Sequence, residues 1–204
     1  MSRKKITKYI GIGAILLLVV LAGIRYVEAY QLQRQLAEKV LRFHVLANSD
    51  SKEDQSLKLS VRDAIGGYMK EQMGQMTSKQ ECEAFVSREL PEIERVAEQV
   101  VKEAGYSYEV HAKLTECEFP VKTYGAYTFP AGEYDALRVT IGEGAGKNWW
   151  CVMYPNMCFA NSMYEVVDEN SKEALRAVLD EAEYEAVLGS GEYEIRWRIL
   201  EWFQ

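Results

Sequence analysis

The first thirty residues contain one long apolar segment with a basic flank. Four basic residues stand within the first eight positions, the apolar run covers residues 9–24, and Arg25 follows it. A run of this length is long for the core of a signal peptide and slightly short of the roughly 20 residues that span a membrane. The basic flank lies upstream, so the N-terminus is expected in the cytoplasm and the remainder outside. Val27-Glu28-Ala29 is an acceptable cleavage site. Residues 1–29 are therefore either a signal peptide cleaved after Ala29 or a retained anchor.

Residues 30–204 show the helical period of apolar positions in several places. One helix is predicted from Lys52, and Ser78-x-x-Glu81 matches a capping box that starts a second. Pro91 suits the first turn of a third helix. A last amphipathic helix is predicted from Ser171.

Strand patterns separate these helices. Residues 40–46, 106–114 and 137–141 have short apolar or alternating patterns, residues 149–159 are strongly apolar and aromatic, and residues 193–199 alternate near the C-terminus. Together, the helices and strands predict a single exported α+β domain over residues 30–204, with one mixed sheet and flanking helices.

The charge distribution restricts the class of partner. The chain carries a formal charge of -7, and the part after residue 29 has 19 basic and 30 acidic residues, a net charge of -11. Nucleic acid is excluded as a partner because phosphate binding needs clustered Lys and Arg. An acidic body repels anionic lipid headgroups, so membrane contact is expected only through residues 9–24.

The four cysteines all lie in the predicted exported part. Cys151 and Cys158 are separated by a Pro-Asn turn signal, which favours a disulfide bond between them, since the outer compartment permits oxidation. Four free thiols are the alternative. No C-x-x-C pair exists and residues 50–54 lack the spacing of a calcium loop, so no metal or other cofactor is expected. His44 and His111 lie in no catalytic motif, although Cys151 with a histidine is a conceivable nucleophile pair.

The stretch from Gly142 to Cys151 contains a Gly-x-Gly-x-Gly loop followed by Asn148-Trp149-Trp150. Neighbouring residues of a strand point to opposite faces, so the two indoles cannot share one face. An exposed Trp beside a flexible loop is typical of a protein contact. The alternative is that both indoles are buried between the sheet and its helices.

The sequence resembles the stage II sporulation protein R family over residues 43–159. The stretches that carry the resemblance are Val45-Leu46-Ala47-Asn48-Ser49-Asp50-Ser51, Phe119-Pro120, Tyr124-Gly125, Phe129-Pro130-Ala131-Gly132-Glu133-Tyr134, Asn148-Trp149-Trp150-Cys151-Val152 and Cys158-Phe159. The resemblance covers over half the chain. The helix and strand predicted over residues 171–204 lie beyond it.

The resemblance implies a signalling protein with no catalytic residues. Such a protein is made in the forespore and exported into the space between the two membranes. There it activates a membrane-embedded aspartic protease of the mother cell, which then processes a pro-sigma factor. The expected receptor contact consists of Asn148, Trp149 and Trp150, with Tyr124 and Tyr127 as further candidates. A secreted hydrolase acting through Cys151 and a structural envelope protein are the alternative functions.

Overall fold

A computed structural model of the chain describes residues 3–73, 75–157 and 169–188. The elements in chain order are α1 (Arg3–Lys39), β1 (Leu41–Leu46), α2 (Lys52–Met73), α3 (Lys79–Glu103), β2 (Val110–Phe119), β3 (Lys122–Tyr124), β4 (Tyr127–Phe129), β5 (Gly132–Ile141), β6 (Asn148–Tyr154), α4 (Glu169–Val178) and α5 (Glu181–Leu188). The predicted α+β class with a mixed sheet is confirmed. The predicted strand over residues 193–199 lies outside the described residues.

The main sheet has four strands in the order β2-β5-β1-β6. β1 and β5 are parallel, whereas β6 runs antiparallel to β1 and β2 runs antiparallel to β5. β3 and β4 form a separate two-stranded hairpin. All six residues of β1 are buried, because this strand lies between two others and is covered on both faces.

The two faces of the sheet support two apolar clusters. Phe43 and Val45 of β1 point to the face covered by α2 and α3, and Leu137 and Val139 of β5 join them there, as predicted for that strand. The intervening residues of these strands point to the other face of the sheet. That face is covered by the end of α1, the β3–β4 hairpin and the α4–α5 pair.

Helix α3 corrects the prediction of separate helices before and after Pro91. The helix is continuous from Lys79 to Glu103, with Pro91 inside it. The predicted helix start is confirmed, with Ser78 as the N-cap. The backbone N–H of Glu81 donates to Ser78 Oγ at 3.1 Å, and the Glu81 carboxylate accepts from the backbone N–H of Thr77 at 2.9 Å rather than from that of Ser78. Pro91 is exposed, and the helix continues past it although its ring removes one intrahelical hydrogen bond. The buried stripe from Cys82 to Val101 continues through this position and holds the two halves as one helix.

Two other predicted elements are shifted or divided. The strand predicted over residues 106–114 begins at Val110 and continues to Phe119, because ten consecutive residues pair with β5. The helix predicted from Ser171 is two helices, since Asp180 caps α5. The N–H of Glu183 donates to Asp180 Oδ1 at 2.9 Å, and the N–H of Asp180 donates to Glu183 Oε2 at 2.8 Å.

Helix α1 connects the N-terminal apolar segment to the body without interruption. Residues 11–39 form the one helix in the described part of the chain that is long and apolar enough to cross a membrane. The large apolar side chains from Ile15 to Leu21 are exposed, whereas Leu36 and Val40 are fully buried in the second cluster. An N-terminal apolar helix of this kind is compatible with either a signal or an anchor. The domain boundary at residue 29 stays a prediction, and α1 runs across it.

Candidate contact site

The two adjacent tryptophans lie at the start of β6 and point to opposite faces of the sheet. Trp149 pairs with Val45 and Trp150 with His44 across the antiparallel ladder. Trp149 lies on the side of α2 and α3, where its ring meets Phe43 edge-on with centroids 5.5 Å apart. The guanidinium of Arg62 lies 5.1 Å from the same ring centroid. Both indoles are half-buried, so neither is a fully enclosed core residue.

Trp150 forms an aromatic and polar cluster on the other face. Its ring stacks on His44 with centroids 3.8 Å apart and contacts the Phe119 ring at 4.6 Å. His44 Nε2 lies 2.8 Å from Asn148 Oδ1. Asn148 is exposed at the beginning of β6, so the cluster reaches the surface through its amide and through the half-buried indole.

The electrostatics of this cluster follow from the burial of His44. Burial, opposed by the Asn148 hydrogen bond and assisted by the positive charge of Arg138, lowers the pKa of His44 to about 4. The imidazole is therefore neutral at pH 7. Its Nε2–H donates to Asn148, and Nδ1 is a buried acceptor without a partner among the described residues. Arg138 occupies the position paired with His44 on β5. Its Nε is buried and likewise has no hydrogen-bond partner among the residues that the structure describes.

A buried arginine supports the cluster from the same face. Arg42 is fully buried, and its guanidinium lies 4.3 Å from the Phe119 ring centroid. Arg42 Nε donates to the carbonyl of Cys151 at 3.0 Å, and Nη2 donates to the hydroxyl of Tyr124 at 3.0 Å. Tyr124 in turn donates to the carbonyl of Trp150 at 3.2 Å. Tyr124 thus links the β3–β4 hairpin to β6, and it is half-buried.

Tyr127 has a different environment from the one expected of a contact residue. Its side chain is 2% exposed, and its hydroxyl lies 2.7 Å from that of Tyr184 on α5. Of the five predicted contact residues, the structure brings Asn148, Trp150 and Tyr124 together on one side of β6. Trp149 faces the opposite side, and Tyr127 lies beneath α5.

The glycine loop before β6 is hydrogen-bonded to a neighbouring turn, and its expected flexibility stays a prediction. Gly142 and Gly144 have positive φ angles of 56° and 62°, a conformation that glycine adopts most readily. Gly146 donates its N–H to the carbonyl of Ala47 at 2.9 Å, and Ala145 donates to that of Asn48 at 3.2 Å. These bonds attach the loop to the turn between β1 and α2.

Side chains of that turn complete the attachment. Asn48 Oδ1 accepts the N–H of Glu143 at 3.0 Å, and Asp50 Oδ1 accepts the N–H of Lys147 at 2.7 Å. Asp54 is buried and accepts hydrogen bonds from Ser49 Oγ at 2.6 Å and Asn48 Nδ2 at 2.9 Å, which lower its pKa. This turn leads from β1 into α2. Its second role, positioning the start of β6, depends on a pairing about 95 residues away.

Among the cysteines, Cys151 is disulfide-bonded and buried, whereas Cys82 and Cys117 are buried free thiols. Cys158 lies outside the described residues, so the pairing of Cys151 with Cys158 stays a prediction. A sulfur in a disulfide bond is not available as a thiolate nucleophile. Within the described residues, no group of three or more His, Cys, Asp and Glu side chains is arranged to hold a metal ion.

These features define a class of protein before any comparison. An apolar N-terminal helix continues into an acidic α+β body, and one end of its sheet presents a polar and aromatic cluster supported by buried hydrogen bonds. Such a cluster has the composition of a protein-binding surface.

Comparison with known proteins identifies the family. Residues 37–164 match the family Stage II sporulation protein R (spore_II_R). The Stage II sporulation protein R of Bacillus subtilis (strain 168) is 33% identical over 181 residues, which cover 82% of this chain and 81% of that protein. The chain belongs to the Stage II sporulation protein R family, and it therefore has a role in sporulation. No solved structure matches it.

Proposed function

We propose that this protein is an exported signal of sporulation. It is delivered from the forespore into the intermembrane space, and there it activates a membrane-embedded aspartic protease of the mother cell. The protease then processes the mother-cell pro-sigma factor. Family membership supports the sporulation role, and the N-terminal apolar helix is compatible with export.

The observation that carries the proposal is the construction of the Trp150 cluster. The ring is half-buried but rests on the neutral His44, and the exposed Asn148 amide lies beside it. Trp is among the residues most enriched at the energetic centres of protein interfaces, and this ring is stacked on His44 before any partner binds. A ligand activates a receptor only by binding its active state better than its inactive state. We assign that differential contact to Trp150 and Asn148.

Trp150→Ala tests this assignment, with Trp149→Ala as the matched control. The first substitution is expected to remove about 2–4 kcal/mol of receptor binding, the range of an interface hot spot. The second removes an edge-on contact with Phe43 in the main core, so it is expected to cost a similar amount of stability instead.

The assay follows pro-sigma processing by immunoblot in sporulating cells, together with the amount of exported variant. Trp150→Ala loses ring packing on His44 and Phe119, so its exported amount should fall, but it should leave the precursor unprocessed even at the amount that is present. Trp149→Ala should accumulate poorly, with processing in proportion to the amount present. Normal processing by Trp150→Ala would overturn the assignment of the contact.

The alternative of a Cys-dependent hydrolase makes a separate prediction. Because Cys151 is buried and disulfide-bonded, Cys151→Ser should reduce signalling only as far as it reduces the folded amount. Complete loss of signalling with a normal amount of folded, exported protein would instead favour the nucleophile.

A further inference from the structure

A groove of about 660 Å³ lies between α1 and the ends of β2 and β5. One wall is formed by α1, including Tyr26, Tyr30 and Gln33, and the other by the strand residues on either side of Tyr134. Gln33 Nε2 donates to the carbonyl of Glu133 at 2.9 Å, which joins the two walls.

The position of the groove follows from the course of α1. Tyr26 and Tyr30 are two and six residues beyond Ile24, the end of the apolar run, which corresponds to about 3 and 9 Å along a helix. Both tyrosines are 52% exposed. If the apolar run spans the membrane, they lie at the level of the lipid headgroups, where Tyr is commonly found. The groove then opens beside the outer surface of the bilayer.

The strand wall of the groove carries like charges directly opposite one another. On the antiparallel ladder, Glu116 pairs with Asp135, and two positions further Glu118 pairs with Glu133. Like charges at opposed positions destabilise a sheet. A cation placed among the four carboxylates of two successive pairs would relieve this repulsion.

The protein supplies such a cation to Asp135 of the first pair. Lys79 at the start of α3 is buried, and its Nζ lies 2.6 Å from Asp135 Oδ2 and 3.4 Å from Glu83 Oε1. The same ammonium donates to the carbonyl of Ala37 at 2.8 Å, so it also attaches α1.

The second pair has no such neighbour. Glu118 and Glu133 are both exposed to the groove side of the ladder, and neither carboxylate forms an ion pair with any residue in the described ranges 3–73, 75–157 and 169–188. Two residues along a strand correspond to about 6–7 Å, so a second cation would bind about that far from Lys79.

We propose that this groove binds a basic, membrane-proximal segment of a membrane protein, and that a Lys or Arg of that segment bridges Glu118 and Glu133. The charge complementarity and the position beside the bilayer together select this occupant. Anionic lipid is a poor occupant, because five carboxylates and only two cations line the groove. The proposal adds a second contact surface to the one at Trp150. It requires that α1 is retained, since cleavage after Ala29 would remove Tyr26 from the wall.

The test uses the full chain in phosphatidylcholine nanodiscs and a fluorescein-labelled hexa-arginine peptide as the probe, with binding followed by fluorescence anisotropy. The variant is Glu118→Gln/Glu133→Gln. The control is Glu98→Gln/Glu185→Gln, which removes the same charge from two exposed positions that do not line the groove. The groove variant should bind the peptide at least about tenfold more weakly and the control within about twofold, because only the former loses both carboxylates that flank one cation.

Thermal unfolding of the same proteins provides a second readout. Removing the opposed charges should leave the groove variant as stable as the wild type or more stable, whereas a purely structural role would lower its melting temperature. Equal weakening of peptide binding in the two variants would show a general effect of acidity and overturn the proposal. The proposal would also be overturned if nanodiscs that carry the protein bound phosphatidylglycerol vesicles and this binding depended on Glu118 and Glu133.

Pro-sigma processing separates this proposal from the proposed function. The groove variant should be exported and folded yet process the precursor poorly. If it processes normally while Trp150→Ala does not, the groove proposal fails and the signalling function stands.

Discussion

Replacing Gly146 by alanine should unfold the protein at a distinctly lower temperature. A β-carbon at Gly146 would lie 2.5 Å from the carbonyl carbon of Ser49 and closer still to its oxygen. Both are backbone atoms, so no side-chain rotation relieves the clash. The two loops must therefore move apart.

The cost follows from the bonds that such a movement breaks. Gly146 and Ala145 donate to the carbonyls of Ala47 and Asn48, and each bond contributes about 0.5–1.5 kcal/mol. Overpacking strain adds about 1–3 kcal/mol. We therefore expect a loss of about 3 kcal/mol, which for a chain of this length lowers the melting temperature by about 6–12 °C.

Gly67→Ala is the matched control. Gly67 lies in α2, is exposed, and has no atom within 4 Å of an added β-carbon. Alanine should stabilise this helix by about 0.5–1 kcal/mol. Thermal unfolding of the two variants, followed by circular dichroism, should therefore shift in opposite directions. A melting temperature of Gly146→Ala equal to that of the wild type would refute the steric argument and indicate that the two loops separate freely.

Three further predictions concern titration and the disulfide bond. Because burial lowers the pKa of His44 from 6.5 to about 4, the unfolded chain binds more protons between these values, and stability should fall as the pH drops through that window. The urea unfolding midpoints of the wild type and of His44→Gln should converge as the pH falls through this window. Midpoints that change in parallel with pH would contradict the prediction. Hydrogen bonding, chiefly from Ser49, lowers the pKa of Asp54 in the folded protein. The Asp54 carboxylate should therefore contribute fully to stability above the ordinary pKa of Asp, and this contribution should be lost progressively as the pH falls below that value. Asp54→Asn should flatten the acid limb of the same titration, and an unchanged limb would refute this. Cys151 and Cys158 should appear as one disulfide-linked peptide in mass mapping without reduction, a closure that stabilises by about 2–3 kcal/mol, and free thiols at both positions would contradict the pairing.

The fold class was predictable because the periodic segments are long. Residues 137–141 alternate strictly, and their apolar members point to α2 and α3 as expected. The errors arose where tertiary contacts outweigh local signals. Pro91 is a strong local breaker, but the apolar stripe on either side packs on one continuous core. Asp180 divides the last helix through a capping box that looks like an ordinary acidic run in the sequence.

The candidate site was predictable in part. Alternation along β6 correctly separated Trp149 from Trp150. The partner of Trp150 was not predictable, because His44 is 106 positions away and meets it only through the pairing of β1 with β6. The opposed carboxylates Glu118 and Glu133 were missed for the same reason. No local pattern reveals register between strands.

The motifs that carry the family resemblance explain the fold better than the function. In Phe129-Pro130-Ala131-Gly132-Glu133-Tyr134, the Tyr134 hydroxyl donates to the Pro130 carbonyl at 2.9 Å. Gly132 lies so close to α1 that a β-carbon would be 2.5 Å from Gln33 Cδ. The motif therefore closes a turn and allows α1 to pack closely against the start of β5.

The turn over residues 48–51 has the same kind of role, since it positions the glycine loop and the start of β6. The amides and side chains of this turn are engaged in contacts within the fold. Recognition should therefore depend chiefly on groups that reach the surface. Trp150 and Asn148 reach it but also support His44, whereas Glu118 and Glu133 are exposed and repel one another in the unbound protein. Substitutions of Glu118 and Glu133 should therefore separate signalling from stability most clearly, whereas substitutions in the turn motifs should reduce both together.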